Sequence, residues 1–467
     1  MVGRQARGVA VLAGLLVGGC GDAANPGADE VGASEVSGSD SESSSGTSAG
    51  SETDTSATTE AETETRGTET SATTETETAE GDSESEDTGT KFDMGAPPDA
   101  PPPDCYAEPL DVPSYIWIAN TTDSTLSKIN TETLEEEARY RTREDGMGNP
   151  SRTSVNLVGD VVVANRRGGI TKVTARTDNC DPERNGVPGL QTSTGKDDVL
   201  PWGEDDCVAW HAPIPHIANR PVAWDFGELD AETCEITNSR VWTAGSDGVG
   251  ANAHLYILDG ETGEQLVDQH LLYFSHGSLG PYGAAFDPEQ NFWMISMGFG
   301  ATLARIDGES LAFDGWVAPS NVVAYGFTVD SYGRPWIADS GGDGVTLVFD
   351  PETETFLSVP EPGFGFGMGE SSDGRMWQAA SPPNAGLRAY DLDTLELVAE
   401  VPLPLFQSRG VGVDRDGYVW LVEVGPRAFR VDPSDASYQV YDGLDEAYTY
   451  SDLTGAALQL AAGYVAG

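Results

Sequence analysis

The chain has 467 residues, with 77 Asp and Glu against 25 Lys and Arg, for a formal net charge of −52. A field of that sign repels phosphate backbones and sets nucleic acid aside as a partner. Gly (56) and Pro (28) are frequent, five cysteines are present, and the hydrophobic fraction of 38% is enough for a folded core but not for a chain buried in lipid.

The first element is an export signal. In "MVGRQARGVAVLAGLLVGGC", Arg4 and Arg7 precede an apolar run from Val9 to Val17 that is too short to span a bilayer as a stable helix. The run closes on Val17-Gly18-Gly19-Cys20, which resembles the lipobox of bacterial lipoproteins. The resemblance implies removal of residues 1–19, lipid on Cys20, and a membrane-tethered extracytoplasmic protein at the outer membrane or cell surface; durable anchoring requires more than one acyl chain. An ordinary signal peptide with a chance cysteine is the alternative.

Residues 20–104 form the second element. "SETDTSATTEAETETRGTETSATTETETAEGDSESEDTGT" has no apolar periodicity, so it cannot bury enough surface to offset its chain entropy and is predicted to be a disordered acidic linker. Like charges extend it, and "GAPPDAPPPDC" stiffens its exit. Residues 105–467 keep 55 acidic against 21 basic residues and are acidic in their own right.

From there a unit recurs. "YIWIANTTDSTLSKINTET" around Trp117 is followed by copies anchored at Val162, Trp242, Trp293, Trp336, Trp377 and Trp420, spaced by 45, 80, 51, 43, 41 and 43 positions. A period of forty-odd residues built from short β-prone runs marks propeller blades, four strands each. In the fifth unit "GFTVDSYG", "RPWIADS", "GVTLVFD" and "TFLSVPEP" are those strands. Asp373-Gly374 and Asp416-Gly417 fall where a tight hairpin needs positive φ. Ring closure explains the copies, because one blade cannot cover both of its faces. "YTYSDLTGAALQL", residues 448–460, looks like a first strand without a successor, and "YIWIAN" lacks a first strand before it. Pairing the two gives an all-β, seven-bladed propeller, with six or eight blades as the alternatives, since the irregular stretch 176–235 has room to hide or replace a strand.

That stretch carries most of the remaining cysteines. Four cysteines allow three pairings, and export favours oxidation; Cys180 with Cys207, both inside the insertion, leaves Cys105 with Cys234. "DPERNGVPGLQT" offers Asp181, Glu183 and Asn185 before Gly186, as in the first half of a calcium loop, but has Thr192 at the twelfth position where a bidentate glutamate is needed. Asp205 in the neighbouring "GEDDC" would complete such a Ca2+ site.

The repeats, with "GVGVDRDGYVWLVEVGPRAFRVDP" among the nearest copies, resemble those of streptogramin (virginiamycin B) lyase-like and NHL-type propellers over residues 105–460. The resemblance implies the propeller fold and, in the lyase branch, ester opening by elimination with a divalent metal and a histidine–glutamate set on the channel face. Glu423 in "WLVEV" occupies the glutamate column, with no histidine two or three residues away. Among the five histidines, His276 in "SHGSLGPYGAAF" precedes a first strand and is expected near the channel mouth; His211 and His216 flank prolines that forbid helical ligand spacing, and His254 and His270 lie outside the tryptophan strands. Arg152 in "NPSRTSV", Arg409 in "QSRGVGV" and Tyr325 in "YGFTVDSYG" all enter first strands and are candidates to face the pore. There the two cations either receive an anionic ligand or plug the channel by pairing with carboxylates. No Gly-x-Ser-x-Gly elbow or phosphate-cradling loop is present. The leading expectation is therefore a lipid-anchored propeller that binds a protein, peptide or glycan without catalysis. A lyase or hydrolase acting at the pore and a subunit of an envelope assembly are the alternatives.

Overall fold

The computed structural model describes residue 105 and residues 110–464, apart from 232, 250, 251, 361, 362 and 383. The signal sequence 1–19, Cys20 and the linker 20–104 lie outside the described residues. Seven antiparallel sheets follow one another along the chain, and the blades are numbered here in that order. Blade 2 is Pro150–Val155, Val161–Asn165, Ile170–Val173 and Val208–Ala212; blade 3 is Ala218–Trp224, Arg240–Ser246, Ala253–Asp259 and Gln265–Leu271. Blade 4 runs from Pro281–Phe286 to Phe313–Val317, blade 5 from Val323–Val329 to Thr355–Pro360, blade 6 from Gly365–Ser371 to Leu397–Pro402, and blade 7 from Ser408–Val413 to Tyr438–Tyr441. Blade 1 contributes only three strands of its own, Tyr115–Asn120, Thr125–Asn130 and Glu136–Arg141.

The inner edge of blade 1 is closed by a segment from the other end of the chain. Trp117 N–H donates to the Leu453 carbonyl (2.9 Å), Tyr448 N–H donates to the Ala119 carbonyl (3.3 Å), and Asn120 bridges Ala447. The closing segment also runs parallel to blade 2, with Tyr450 opposite Arg152 and Ser451 opposite Thr153. The ring is thus stitched as the repeat demanded, with seven blades rather than six or eight. One correction concerns residues beyond the stitch. The run to Leu460, expected as strand, breaks at Gly455 (φ 91°) and continues as a helix, Ala456–Ala461, because Ala-Ala-Leu-Gln-Leu-Ala favours helix over strand. The stretch 176–235 also holds two blade strands, Val208–Ala212 and Ala218–Trp224, between a long loop and a small hairpin (Glu228–Leu229 with Ile236–Thr237), which accounts for the 80-residue spacing. Cys180 pairs with Cys207 across that loop, and Cys105 pairs with Cys234.

Packing follows burial of the strands by layer. Inner strands such as Ser408–Val413 are buried at every position, whereas the outermost strand Gln265–Leu271 alternates with solvent. Trp117, Trp242, Trp293, Trp336, Trp377 and Trp420 sit at the same place in the second strand of six blades, at 1% exposure or less, with Val162 in blade 2. An aspartate six residues upstream holds both the preceding hairpin and the ring: Asp330 Oδ1 accepts from Tyr332 and Arg334 N–H, while Oδ2 accepts Trp336 Nε1–H (2.8 Å). Asp287 with Trp293 and Asp414 with Trp420 repeat this arrangement. Without the carboxylate each buried indole N–H would lose its acceptor.

Candidate functional site

Every inner strand from blade 2 to blade 7 slips register by one residue near its start, between Pro150 and Arg152 in blade 2 and between Ser408 and Val411 in blade 7, and likewise in blades 3 to 6. A bulge re-aims the side chain it carries. Arg220, Tyr282, Tyr325, Phe366 and Arg409 sit at five of these bulges, and in blade 2 Arg152 directly follows the bulged Ser151. Close approach of neighbouring inner strands is enforced just after the bulge: a Cβ on Gly367 would meet the Arg409 carbonyl at 2.5 Å, and one on Gly410 the Thr449 carbonyl at 2.5 Å.

The result is a plug of arginines and tyrosines across one end of the channel. The Arg152 guanidinium lies 3.9 Å from the Tyr450 ring centre and 4.6 Å from that of Tyr282. Arg409 lies 4.7 Å from Phe366, 5.1 Å from Tyr448 and 6.0 Å from Tyr325. Tyr325 hydrogen-bonds to the hydroxyls of both Tyr448 and Tyr450, and Tyr282 reaches Tyr448 at 3.5 Å. Arg166 and Arg220 complete the layer over Tyr448 and Tyr282. The three pore residues expected from sequence, Arg152, Tyr325 and Arg409, are therefore brought together. Tyr282, Phe366, Tyr448, Tyr450, Arg166 and Arg220 were missed, although an aromatic or arginine followed by Gly or Pro at the head of an inner strand ("YG", "FG", "RP") marks three of them, Tyr282, Phe366 and Arg220.

The arginines are not neutralised in the expected way. Arg139, Arg240, Arg334, Arg427 and Arg430 all pair with carboxylates. Among the described residues Arg152 and Arg409 have no such partner: Arg152 Nη1 donates to the Ser151 carbonyl (3.3 Å), and Arg409 Nη1 donates to the Ser408 carbonyl (2.8 Å). The Gln407 side-chain oxygen, in the orientation that satisfies both groups, accepts from Arg409 Nη2 (2.7 Å), and Arg409 Nε has no acceptor. Burial, reinforced by the neighbouring tyrosines, holds the Tyr450 phenol well above its ordinary range, so it supplies no phenolate at neutral pH. Stacking on aromatic rings offsets about 0.5–2 kcal/mol per contact, against several kcal/mol for burying an ion. Among the described residues the rings therefore offset only part of the cost of burying the Arg152 and Arg409 cations.

Further along the inner strands lies a small, mostly apolar cavity of about 40 Å³, bounded by Phe286, Phe327, Met368 and Leu458 of the terminal helix. Glu370 and Asp452 face this apolar space. Burial raises Glu370 to about 7 against the hydrogen bonds from Ser331, and raises Asp452 to about 6, with Asp452 Oδ2 lacking an acceptor or donor partner.

The other candidates separate. Glu423 is buried and held by Arg427 through Nε (2.6 Å) and Nη2 (2.8 Å), so its carboxylate is already neutralised. His276 sits on the loop before Pro281–Phe286, its Nδ1 at 2.8 Å from the Gly277 carbonyl. His211 is lowered to about 4 by burial and faces Thr171 and Trp202, whereas His216 contacts Asp247 and Tyr256 and packs against His254, which in turn stacks on His270. In the long loop, Asp205 accepts from Ser193 and Cys207 N–H, Asn185 donates to the Glu204 carbonyl and accepts from Val187, and Asp181 accepts from Glu183 N–H. Among the described residues no three His, Cys, Asp or Glu side chains converge as a metal-ligand set. No helix among them is long and apolar enough to cross a membrane.

No family model and no curated protein matches the sequence. Solved structures do match in shape. A functionally unknown protein from Desulfotomaculum acetoxidans is 10% identical, with a TM-score of 0.51, over 72% of this chain and 100% of that one. The dihydro-heme d1 dehydrogenase NirN, in complex with DHE, is 14% identical with a TM-score of 0.43 over 72% and 74% of the two chains. At these identities the likeness concerns the fold alone, a β-propeller, which in this chain has seven blades.

Proposed function

We propose that the chain is an exported, lipid-anchored propeller that binds a protein, peptide or glycan at the channel end closed by the arginine–tyrosine layer, without catalysis. The observation that carries this reading is the layer itself: arginine and tyrosine dominate recognition surfaces, and here they are gathered by bulges from most of the blades onto one end. Two disulfides support an oxidising compartment, and the lipobox-like Cys20 supports tethering. Glu423, the only glutamate in the lyase column, is occupied by Arg427. The test is to immobilise the full chain and probe peptide and glycan arrays, alongside ester, lactone and cyclic depsipeptide substrates. Saturable capture without turnover supports the reading. Turnover that vanishes in His276→Ala replaces it with the lyase. Labelling with an alkyne fatty acid, lost in Cys20→Ala, checks the anchor.

A further inference from the structure

Buried Arg139 and Arg430 pair with acids, whereas Arg152 (2% exposed) and Arg409 (6% exposed) lie in one layer with no carboxylate against either among the described residues. Guanidinium does not shed its proton, so both stay charged. Arg409 Nε has no acceptor, and the hydroxyls of Ser151 and Thr449, flanking Arg152 and Tyr450 in the chain, are also unpaired. We propose that the channel mouth is a carboxylate-binding site in which Arg409 and Arg152 receive the anion and the hydroxyls of Tyr325 and Tyr448 rim it. This rests on the binding reading above and names the chemical class of its ligand.

Two features favour a carboxylate over a phosphate. The Nε edge of Arg409 matches the planar, two-oxygen acceptor of a carboxylate. The surrounding domain, with 55 acidic and 21 basic residues from 105 to 467, also penalises an ion carrying nearly two negative charges more than one carrying a single charge.

The probes are sodium acetate, sodium phosphate and the neutral isostere acetamide, titrated into the full chain in low-salt HEPES buffer and read by thermal melting and calorimetry. Acetate is expected to raise the melting temperature saturably, phosphate to act more weakly, and acetamide to have no effect. Arg409→Met is expected to lose acetate affinity at least tenfold, yet to melt no lower than the parent without acetate, because an uncompensated buried charge has been removed. Arg152→Gln serves as the second variant and is expected to weaken acetate in the same way. The proposal is overturned by equal responses to acetate and acetamide, by tighter phosphate than acetate binding, or by an acetate response that survives Arg409→Met. It is also overturned if Arg409→Met melts lower in acetate-free buffer, which would make the guanidinium a structural plug. Array capture that persists in Arg409→Met and in excess acetate sinks this inference while leaving the binding reading in place; an acetate response with no array ligand does the reverse.

Discussion

Replacing Leu453 by alanine should be among the most damaging single changes in the propeller, although the residue lies only fourteen positions before Gly467. Leu453 is fully buried against Ile116, Ile118, Trp420 and Val422, and its Cδ1 lies 3.3 Å from where a Cβ on Gly410 would be, so it touches blade 1 and blade 7 at once. Its carbonyl also accepts from Trp117 N–H. Truncation removes the transfer free energy of three methyl or methylene groups and leaves a cavity between two rigid sheets that relaxes poorly, for a cost of about 3–4 kcal/mol. Leu397→Ala on the outermost strand of blade 6, at 39% exposure, serves as the matched control and should cost about 0.5 kcal/mol or less. Urea unfolding followed by tryptophan fluorescence reads both. Equal midpoints for the two variants would mean that the C-terminal segment is not part of the ring, and the closure described above would fall with it.

Other perturbations test separate parts of the account. Cys180→Ser with Cys207→Ser opens a loop spanning 27 positions and should lower stability by roughly 3.5 kcal/mol from loop-closure entropy; an unchanged midpoint would show that the loop is ordered without its bridge. Glu370 binds its proton more tightly folded (about 7) than unfolded (4.5), so the folded state gains from protonation below pH 4.5 and loses that gain as pH climbs to 7. Parent stability should therefore fall across that window relative to Glu370→Gln, by at most about 3 kcal/mol, and parallel pH profiles would refute the assignment. The carboxylates of Asp205 and Asp181 accept from backbone N–H groups, so the melting curve should be the same in calcium and in chelator. A lower transition in chelator would restore the Ca2+ loop.

Much of the fold was legible because it is written by repetition. The tryptophan period, the Asp-Gly turns (φ 79° at Gly374 and 80° at Gly417) and the unpartnered ends at Tyr115 and Tyr448 each encode a local requirement that the ring satisfies. The terminal helix was less visible: Tyr450-Ser451 reads as a strand, and the change of period after Gly455 spans too few residues to register. The site was half legible. Arg152 and Arg409 stand out as cations at strand starts, but Tyr448 lies almost three hundred residues from Arg152 and joins it only through closure. That the arginines would stack on tyrosines instead of pairing with acids depends on which side chains the bulges turn inward, and no local pattern carries that.

The bulge separates scaffold from recognition, and this leads to a sharper expectation. The same register slip occurs in six inner strands, yet in blades 3 to 7 the residue it presents is Arg220, Tyr282, Tyr325, Phe366 or Arg409 depending on the blade, and in blade 2 it is Ser151. Backbone geometry at this level is therefore set by the slip and by the small residues behind it, such as Gly367 and Gly410, and not by the side chain on display. Tyrosine already occupies the equivalent position in blades 4 and 5, so Arg409→Tyr should fold with a stability within about 1 kcal/mol of the parent while abolishing the acetate response. A variant that binds acetate as before would remove Arg409 from the site. One that unfolds would show instead that this arginine holds the ring together, and the division between a repeated frame and a variable rim would have to be abandoned.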